Sequence, residues 1–497
     1  MKVARHGTVG LYFLIEILLL LVAIPFFFHL SFGEDVNITM LRTMVVLCVL
    51  LTITIYLYCF SKNRFKQCFA LFSFNTAFLF LILGKYITNF SNDAFWGVFV
   101  FSEISHISYR NELAALTFIF LSLWCVAISY QLGSKSSKAT TFANIAKENE
   151  ENSRLCRIRS YCKIAMYVGA IAAFIKLFAK IVYVAQNGYL GTYLTTGAAF
   201  YENPIIDLFD KFYLLGFLGF LATFPEKKKI KFPCTLYLLY SVLSLFTGIR
   251  GEVVISILFL LWYFMKRDEK RIDQKVNISS SKIFILALLA LFAFEFLLDF
   301  GSIRLGGAAS QDSFANKLRD FLDSQGGSGR LVALGLENEE KILEYISPFL
   351  IVFAPVKNFL INNSLVRLIT GGVLGQTMNT LLKAPSFGLV ITYVTNKSSY
   401  LKGAGLGTCY IAELAVSSGA IGIILGNVVL GQLLNKIDNI TASKWSGTVL
   451  LFNSFYYLVY IPRHDTLQII PESIALVLFV FLINLFCNSN RKTRSIK

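Results

Sequence analysis

Apolar residues recur along this chain in runs about as long as a bilayer is thick, and polar residues are confined to short intervals between them. A hydrocarbon layer about 30 Å thick needs roughly 20 apolar residues per helix, and the lack of water there makes each crossing backbone satisfy its own hydrogen bonds. On this pattern transmembrane helices are predicted at approximately 11–31, 41–60, 68–88, 111–132, 162–185, 207–225, 232–248, 251–265, 282–299, 411–435, 446–461 and 473–487. The predicted fold is therefore all-α, a polytopic membrane protein with about twelve transmembrane helices, in which residues 1–497 form a single integral membrane domain.

One interval breaks the rhythm. Residues 300–410 hold no unambiguous span, yet they are too rich in aliphatic and aromatic side chains to be disordered. Within them KILEYISPFLIVFAPVKNFLI is apolar but interrupted by Pro348 and Pro355, which suits a kinked helix lying on or re-entering the membrane. This large loop, expected to contain short helices between spans nine and ten, is the first place to look for a site.

Composition sharpens the reading. Hydrophobic residues make up 56% of the chain and charged residues 15%, more apolar surface than a soluble domain could hide. The net charge of +16 gathers in the alternate short loops, from Lys2 and Arg5 through Lys227, Lys228, Lys229 and Lys231 to the C-terminal Arg491. That asymmetry is the positive-inside signature and predicts both termini cytoplasmic, an orientation signal rather than a nucleic-acid surface. The first apolar run follows a basic stretch but lacks a small-x-small cleavage site, so an uncleaved first helix is expected. The nine cysteines include no C-x-x-C pair, and neither disulfides nor a thiolate metal site is indicated.

Charges expected at the outer face are few enough to weigh singly, because a charge at mid-membrane costs roughly 2.5–3.5 kcal/mol on insertion scales. Thr247-Gly248-Ile249-Arg250-Gly251-Glu252 lies between two spans with almost no other loop. Arg250 and Glu252 either anchor a helical hairpin or aim a guanidinium fork at an anion. Arg304, in Ser302-Ile303-Arg304-Leu305-Gly306, opens the large loop beyond a helix carrying Glu295 and Asp299. Arg463 stands in Pro462-Arg463-His464-Asp465 near the chain's end. Arginine binds phosphate in a planar, bidentate way, so three arginines converging over one cavity would suit a phosphorylated ligand, whereas taken singly each serves equally to reach lipid headgroups.

Gly403-Ala404-Gly405-Leu406-Gly407 feeds the helix that carries Glu413. No strand precedes it, so it is no dinucleotide fingerprint, and Gly405 would instead let backbone approach a ligand or a helix. Glu413 either complements the helix dipole or turns a carboxylate to the cavity. His464 is open to a structural or a catalytic role. Neither a G-x-x-x-x-G-K-[ST] nor an H-E-x-x-H motif occurs, so neither ATP nor a bound metal is indicated and no cofactor is expected.

These motifs together resemble the O-antigen polymerase (Wzy) family, the oligosaccharide repeat unit polymerases of bacterial surface polysaccharides: T-G-x-R-G-E at 247–252, S-x-R-x-G at 302–306, G-x-G-x-G with A-E-L at 403–414, and P-R-H-D at 462–465. The resemblance runs over about 245–470. It implies a metal-independent glycosyltransferase of the C superfamily in the bacterial inner membrane. Such an enzyme moves a growing glycan from undecaprenyl pyrophosphate to a lipid-linked repeat unit on the periplasmic side. By this resemblance Arg250, Arg304 and Arg463 would bind the pyrophosphate with Glu252 and Gly405 in support, and Glu413, His464 or Asp465 would serve as base. The expected partners are the two lipid-linked oligosaccharides, membrane lipid, and a chain-length regulator and flippase of the same pathway. A flippase or an O-antigen ligase would share the helical architecture and the interfacial arginines.

Overall fold

The computed structural model describes residues 3–33, 35–61, 64–101, 103–134, 153–270, 313–440 and 444–492. The expected span 282–299 and Glu295, Asp299 and Arg304 lie outside the described residues. Helices α1 (Val3–Phe32), α2 (Ile38–Phe60), α3 (Phe69–Thr88), α4 (Tyr109–Ser134) and α5 (Ser153–Gly191) follow the hydropathy pattern. Next come α6 (Thr195–Tyr201), α7 (Pro204–Leu221), α8 (Lys227–Ser244) and α9 (Gly251–Lys270). Between α3 and α4 a short antiparallel hairpin, β1 (Val98–Phe101) and β2 (Glu103–His106), pairs Val98 with His106.

The segment 313–401 folds as a row of short helices: α10 (Phe314–Gln325), α11 (Gly327–Glu337), α12 (Glu339–Leu343), α13 (Pro348–Asn362), α14 (Ser364–Thr370), α15 (Met378–Lys383), α16 (Phe387–Thr395) and α17 (Lys397–Leu401). Helices α18 (Tyr410–Asn439), α19 (Trp445–Val459) and α20 (Ile469–Lys492) complete the bundle.

Among the described residues eight helices are long and apolar enough to cross a membrane, and α13 with α14, bent by 54°, brings the number to as many as nine. The chain is thus a polytopic all-α membrane protein. Three expected spans became the bundle helices α7, α9 and α19, which fall outside those eight. Helix α19 has only 15 residues, and α7 carries Asp207, Asp210 and Lys211 in its first half. The sequence placed a kink at the prolines of 348–355. Pro348 opens α13 after the break at 344–347 and Pro355 lies inside that helix; the chain bends further at Asn363, whose extended backbone leaves α13 and whose side chain caps the N–H groups of Leu365 and Val366 to start α14.

The end of the bundle where α8 turns into α9, the upper end, receives the short helices. Helix α11 docks there against α3 and α4. A Cβ at Gly329 would stand 2.1 Å from the Ile82 carbonyl oxygen, inside the π-helical turn Leu79–Leu83, so only glycine lets the two backbones meet. One residue on, Arg330 enters the interior. Its Nη1 donates to the Val98 carbonyl at 2.6 Å, its Nη2 binds the Glu112 carboxylate, and its guanidinium lies 4.2 Å from the centre of the Phe95 ring. The Tyr86 hydroxyl donates to the other Glu112 oxygen at 3.3 Å. Glu112 is 0% and Arg330 2% exposed, so neither charge has water to turn to.

The lower end is basic. There Lys266 donates to the Lys66 carbonyl, Arg267 to the Pro225 carbonyl and Arg159 to Thr223, each cation closing a loop below the apolar layer.

Removing one partner of a buried ion pair strands the other, at a cost of about 3–5 kcal/mol. Arg330→Met is therefore expected to lower the thermal midpoint of the purified protein in detergent and to open 313–337 to limited proteolysis. Glu112→Gln, which keeps one acceptor oxygen for Arg330 but loses the charge and turns the other oxygen into a donor, should fall between this variant and the wild type. A wild-type cleavage pattern for Arg330→Met would show that the pair does not hold the loop.

Candidate functional site

Two of the motifs meet at the upper end. Helix α8 runs into a 3-10 turn that stops at Gly248, whose φ of 88° is a left-handed conformation that glycine adopts without strain. The chain re-enters as α9 at Gly251, packed so closely that a Cβ there would stand 2.8 Å from the Tyr460 hydroxyl. Tyr460 ends α19 and opens the turn Ile461–Arg463. Its ring meets the His464 ring edge-on at 5.2 Å, and Tyr457 lies 6.4 Å from the same imidazole. The 247–252 turn and the 462–465 turn are thus neighbours through one tyrosine.

Arg463 donates from Nη1 to the Gln325 side chain at 2.7 Å, which ties the second turn to the end of α10. His464 is half-exposed. Burial among its neighbours pushes the imidazole below its usual value; Asp465 opposes that shift and Arg463 adds to it.

A third motif joins from α18. Glu413, 0% exposed, accepts from the Thr408 hydroxyl at 2.6 Å and from the Thr466 backbone N–H at 2.7 Å. The Asp465 side chain is within hydrogen-bonding reach of the same carboxyl. Glu413 therefore fastens the glycine-rich stretch to the loop holding His464 and Asp465. Within that stretch the demanding position is Gly403, with φ of 83° and a Cβ that would stand 2.5 Å from the Leu190 carbonyl oxygen. Gly405 has room: its nearest neighbour is the Gln376 amide nitrogen at 3.5 Å.

Beside these turns a partly enclosed cavity of about 270 Å³ opens between the upper ends of α7, α8, α9, α19 and α20. Tyr213, Tyr237, Tyr240, Tyr456 and Tyr457 form much of its wall. Asp210, Glu252 and Glu472 supply carboxylates, with Lys211 as a cation. Glu252 thus belongs to the cavity, and Arg250 stands two residues away, half-buried in the turn. Nothing along the chain singles out the tyrosines, since apolar helix ends usually carry such rings.

A charge network, buried at Arg367 and Asp207 and half-buried at its other members, backs the cavity. Arg367, on α14, binds the Asp207 carboxylate at 2.9 Å, the Glu202 carbonyl at 2.7 Å and the Glu202 carboxylate at 3.3 Å. Lys176, on α5, bridges Asp207 at 2.8 Å and Asp210 at 3.2 Å. Burial raises the Glu202 carboxyl above its ordinary value, while Arg367 and Lys176 pull it back. Arg367 was not anticipated, because nothing near it in sequence marks a partner 160 residues away.

The family model of the O-antigen polysaccharide polymerase Wzy matches residues 11–492, nearly the entire chain. The chain belongs to the O-antigen polysaccharide polymerase Wzy family. It is a membrane-embedded polymerase of O-antigen repeat units, and the match extends the likeness well beyond 245–470, through the N-terminal helices. No curated protein and no solved structure matches it.

For this Wzy polymerase, then, the site residues read from the sequence divide into groups. Arg250, Glu252, Arg463, His464, Asp465 and Glu413 come from turns that touch one another, Gly405 sits in the adjoining glycine-rich stretch, and Arg304 lies outside the described residues. Among the described residues no group of three His, Cys, Asp or Glu side chains stands close enough to hold a metal ion.

Glu413→Ala would leave the half-buried Thr466 N–H and Thr408 hydroxyl without their partner, at up to about 1–3 kcal/mol each. A lower thermal midpoint is expected, with faster hydrogen exchange at 462–466 than in the wild type. Unchanged exchange there would mean that the carboxylate does not hold that loop.

Proposed function

We propose that the polymerase works at its upper end on the periplasmic side of the inner membrane, transferring a glycan from undecaprenyl pyrophosphate to the non-reducing sugar of a lipid-linked repeat unit. The basic lower end then faces the cytoplasm, as the positive-inside rule requires, and both termini lie there. The observation that carries this reading is the packing of the arginine turn 247–252 against the Arg463-His464 turn, beside a cavity walled by tyrosines and carboxylates. Such a substrate has a polyprenyl tail for the lipid, a diphosphate for the interface and sugars for the polar space above. Residues 300–410 form the periplasmic part, inserted in a single membrane domain.

In this reaction the acceptor oxygen bonds to C1 of the donor sugar as the bond from C1 to the pyrophosphate oxygen breaks. The bonding electrons pass to the leaving diphosphate, and the acceptor proton passes to a base. Arg250, Arg463 and Arg304 hold the diphosphate and stabilise the charge that grows on it, so the positive charge comes from guanidinium groups rather than a metal. His464 suits the base: its depressed pKa keeps it neutral and ready to take a proton. Glu413, with both oxygens already accepting hydrogen bonds, acts as a positioning residue for the 462–466 loop, and Asp465 adjoins the imidazole from the same turn. A chain-length regulator and a flippase are the expected partners in the same membrane.

Loss of one such electrostatic contact typically slows turnover about 10²–10³-fold. In a strain that depends on this protein, Arg250→Ala is expected to leave lipopolysaccharide capped with one repeat unit, seen as a single band on a gel. Full-length ladders would refute the assignment of Arg250. Loss of even the single unit is the pattern of a failed flippase, and polymer left on the lipid carrier that of a failed ligase.

The pH profile tests the base. Because the His464 pKa lies below the ordinary imidazole value of about 6.5, the active neutral form persists as pH falls past that value and is lost only below it. Polymer formation in proteoliposomes should keep its plateau down through pH about 6.5, with an acidic limb beneath. The same limb in His464→Gln would remove His464 from the role.

A further inference from the structure

We infer that the cavity among the five tyrosines is the subsite for the acceptor's terminal sugar, and that its wall selects which sugar is extended. The inference rests on the polymerase reading above and adds a recognition element to it.

Its chemistry suits a neutral, hydroxyl-rich ring. A sugar has apolar C–H faces that pack on aromatic rings and a rim of hydroxyls that carboxylates accept. Here Tyr213, Tyr240 and Tyr457 stand with Asp210, Glu252 and Glu472 around one space. Among the described residues no arginine lines it; Lys211 is the cation in its wall, and Lys176, behind it, is already bonded to Asp210 at 3.2 Å. A diphosphate would meet three carboxylates against a single lysine there, so the anion and the sugar have separate places.

Three polar atoms in the wall, the Tyr237 hydroxyl among them, lack what a ligand would bring. The Tyr213 hydroxyl and the Asn453 amide nitrogen have no hydrogen-bond partner among the described residues, although their side chains are only 3% and 1% exposed. Buried polar groups are rarely left unpaired, and a hydroxyl-bearing ligand would pair them. Lower in the wall, Ser241 and Ser256 hydrogen-bond at 2.8 Å and present two more hydroxyls.

Size and place agree. A volume of 270 Å³ corresponds to about nine water molecules, the scale of one sugar ring. Tyr457 belongs to the wall and also packs on His464 at 6.4 Å between ring centres, so a sugar seated in the cavity has its rim beside the proposed base. The base takes its proton from the acceptor, which assigns the cavity to the acceptor sugar.

The test uses full-length protein in proteoliposomes and, as probes, the methyl glycosides of each monosaccharide in the host's repeat unit. Binding is read by saturation-transfer NMR, and competition by inhibition of polymer formation. One glycoside is expected to bind and to compete with the lipid-linked repeat unit. Tyr213→Phe, which keeps the ring, and Asn453→Ala should each weaken its binding and raise KM for the repeat unit about five- to tenfold, the loss of one hydrogen bond, with kcat little changed. The inference is overturned if no glycoside binds, if inorganic pyrophosphate competes for the cavity better than any glycoside, or if both variants bind it as the wild type does. Wild-type protein that binds a glycoside through these two residues but makes no polymer would defeat the polymerase reading and leave the sugar site standing.

Discussion

The upper end depends on the guanidinium of Arg330. Deep among Glu112, the Val98 carbonyl and the Phe95 ring, it has no solvent to fall back on, so α11 is either seated against the bundle or its charge is stranded. Five residues earlier on the neighbouring helix, Gln325 holds Arg463, so that guanidinium inherits its position from the docking of Arg330. Arg367 does the same on the other side. It fastens α14 to Asp207, while the next acidic residue of α7, Asp210, forms part of the cavity wall. Two arginines of the 313–401 segment thus clamp the rim that carries the proposed site.

Hydropathy carried most of the architecture, because lipid leaves the chain little choice: a long apolar run must be a helix. The turns at 247–252 and 462–465 were legible for a similar reason, since a charge between two spans with no room for a loop has to sit at an interface. What the sequence hid was partnership. Glu112 and Arg330 are 218 residues apart, and each in isolation looks like an ordinary interfacial charge. The bend at Asn363 was missed because prolines are the usual cause of a kink, whereas here an asparagine ends one helix and caps the next. Helix α7 shows how site and span compete: Asp207, Asp210 and Lys211 lower its hydropathy because they belong to the charged network and the cavity.

Chain extension on a lipid carrier makes opposed demands on one small volume. On the proposed reading, the leaving diphosphate needs cations that bind it more strongly as the bond to C1 breaks, while the acceptor sugar needs acceptors and flat apolar faces that would repel that anion. Arranging both around a single pocket would set carboxylates against phosphate. The rim and the cavity separate them. Arg250 and Arg463 are half-buried in turns at the rim, where on that reading a spent diphosphate would be exchanged for a fresh one. Glu252, two residues from Arg250, already belongs to the acidic wall. The change of sign takes place within one turn of α9, and the reversal at Gly248 and Gly251 is what makes that possible, by bringing the arginine to the rim and the glutamate beneath it without a loop between them. A longer connection would lose this register, because two freely moving charges of opposite sign would pair with each other before either met a substrate.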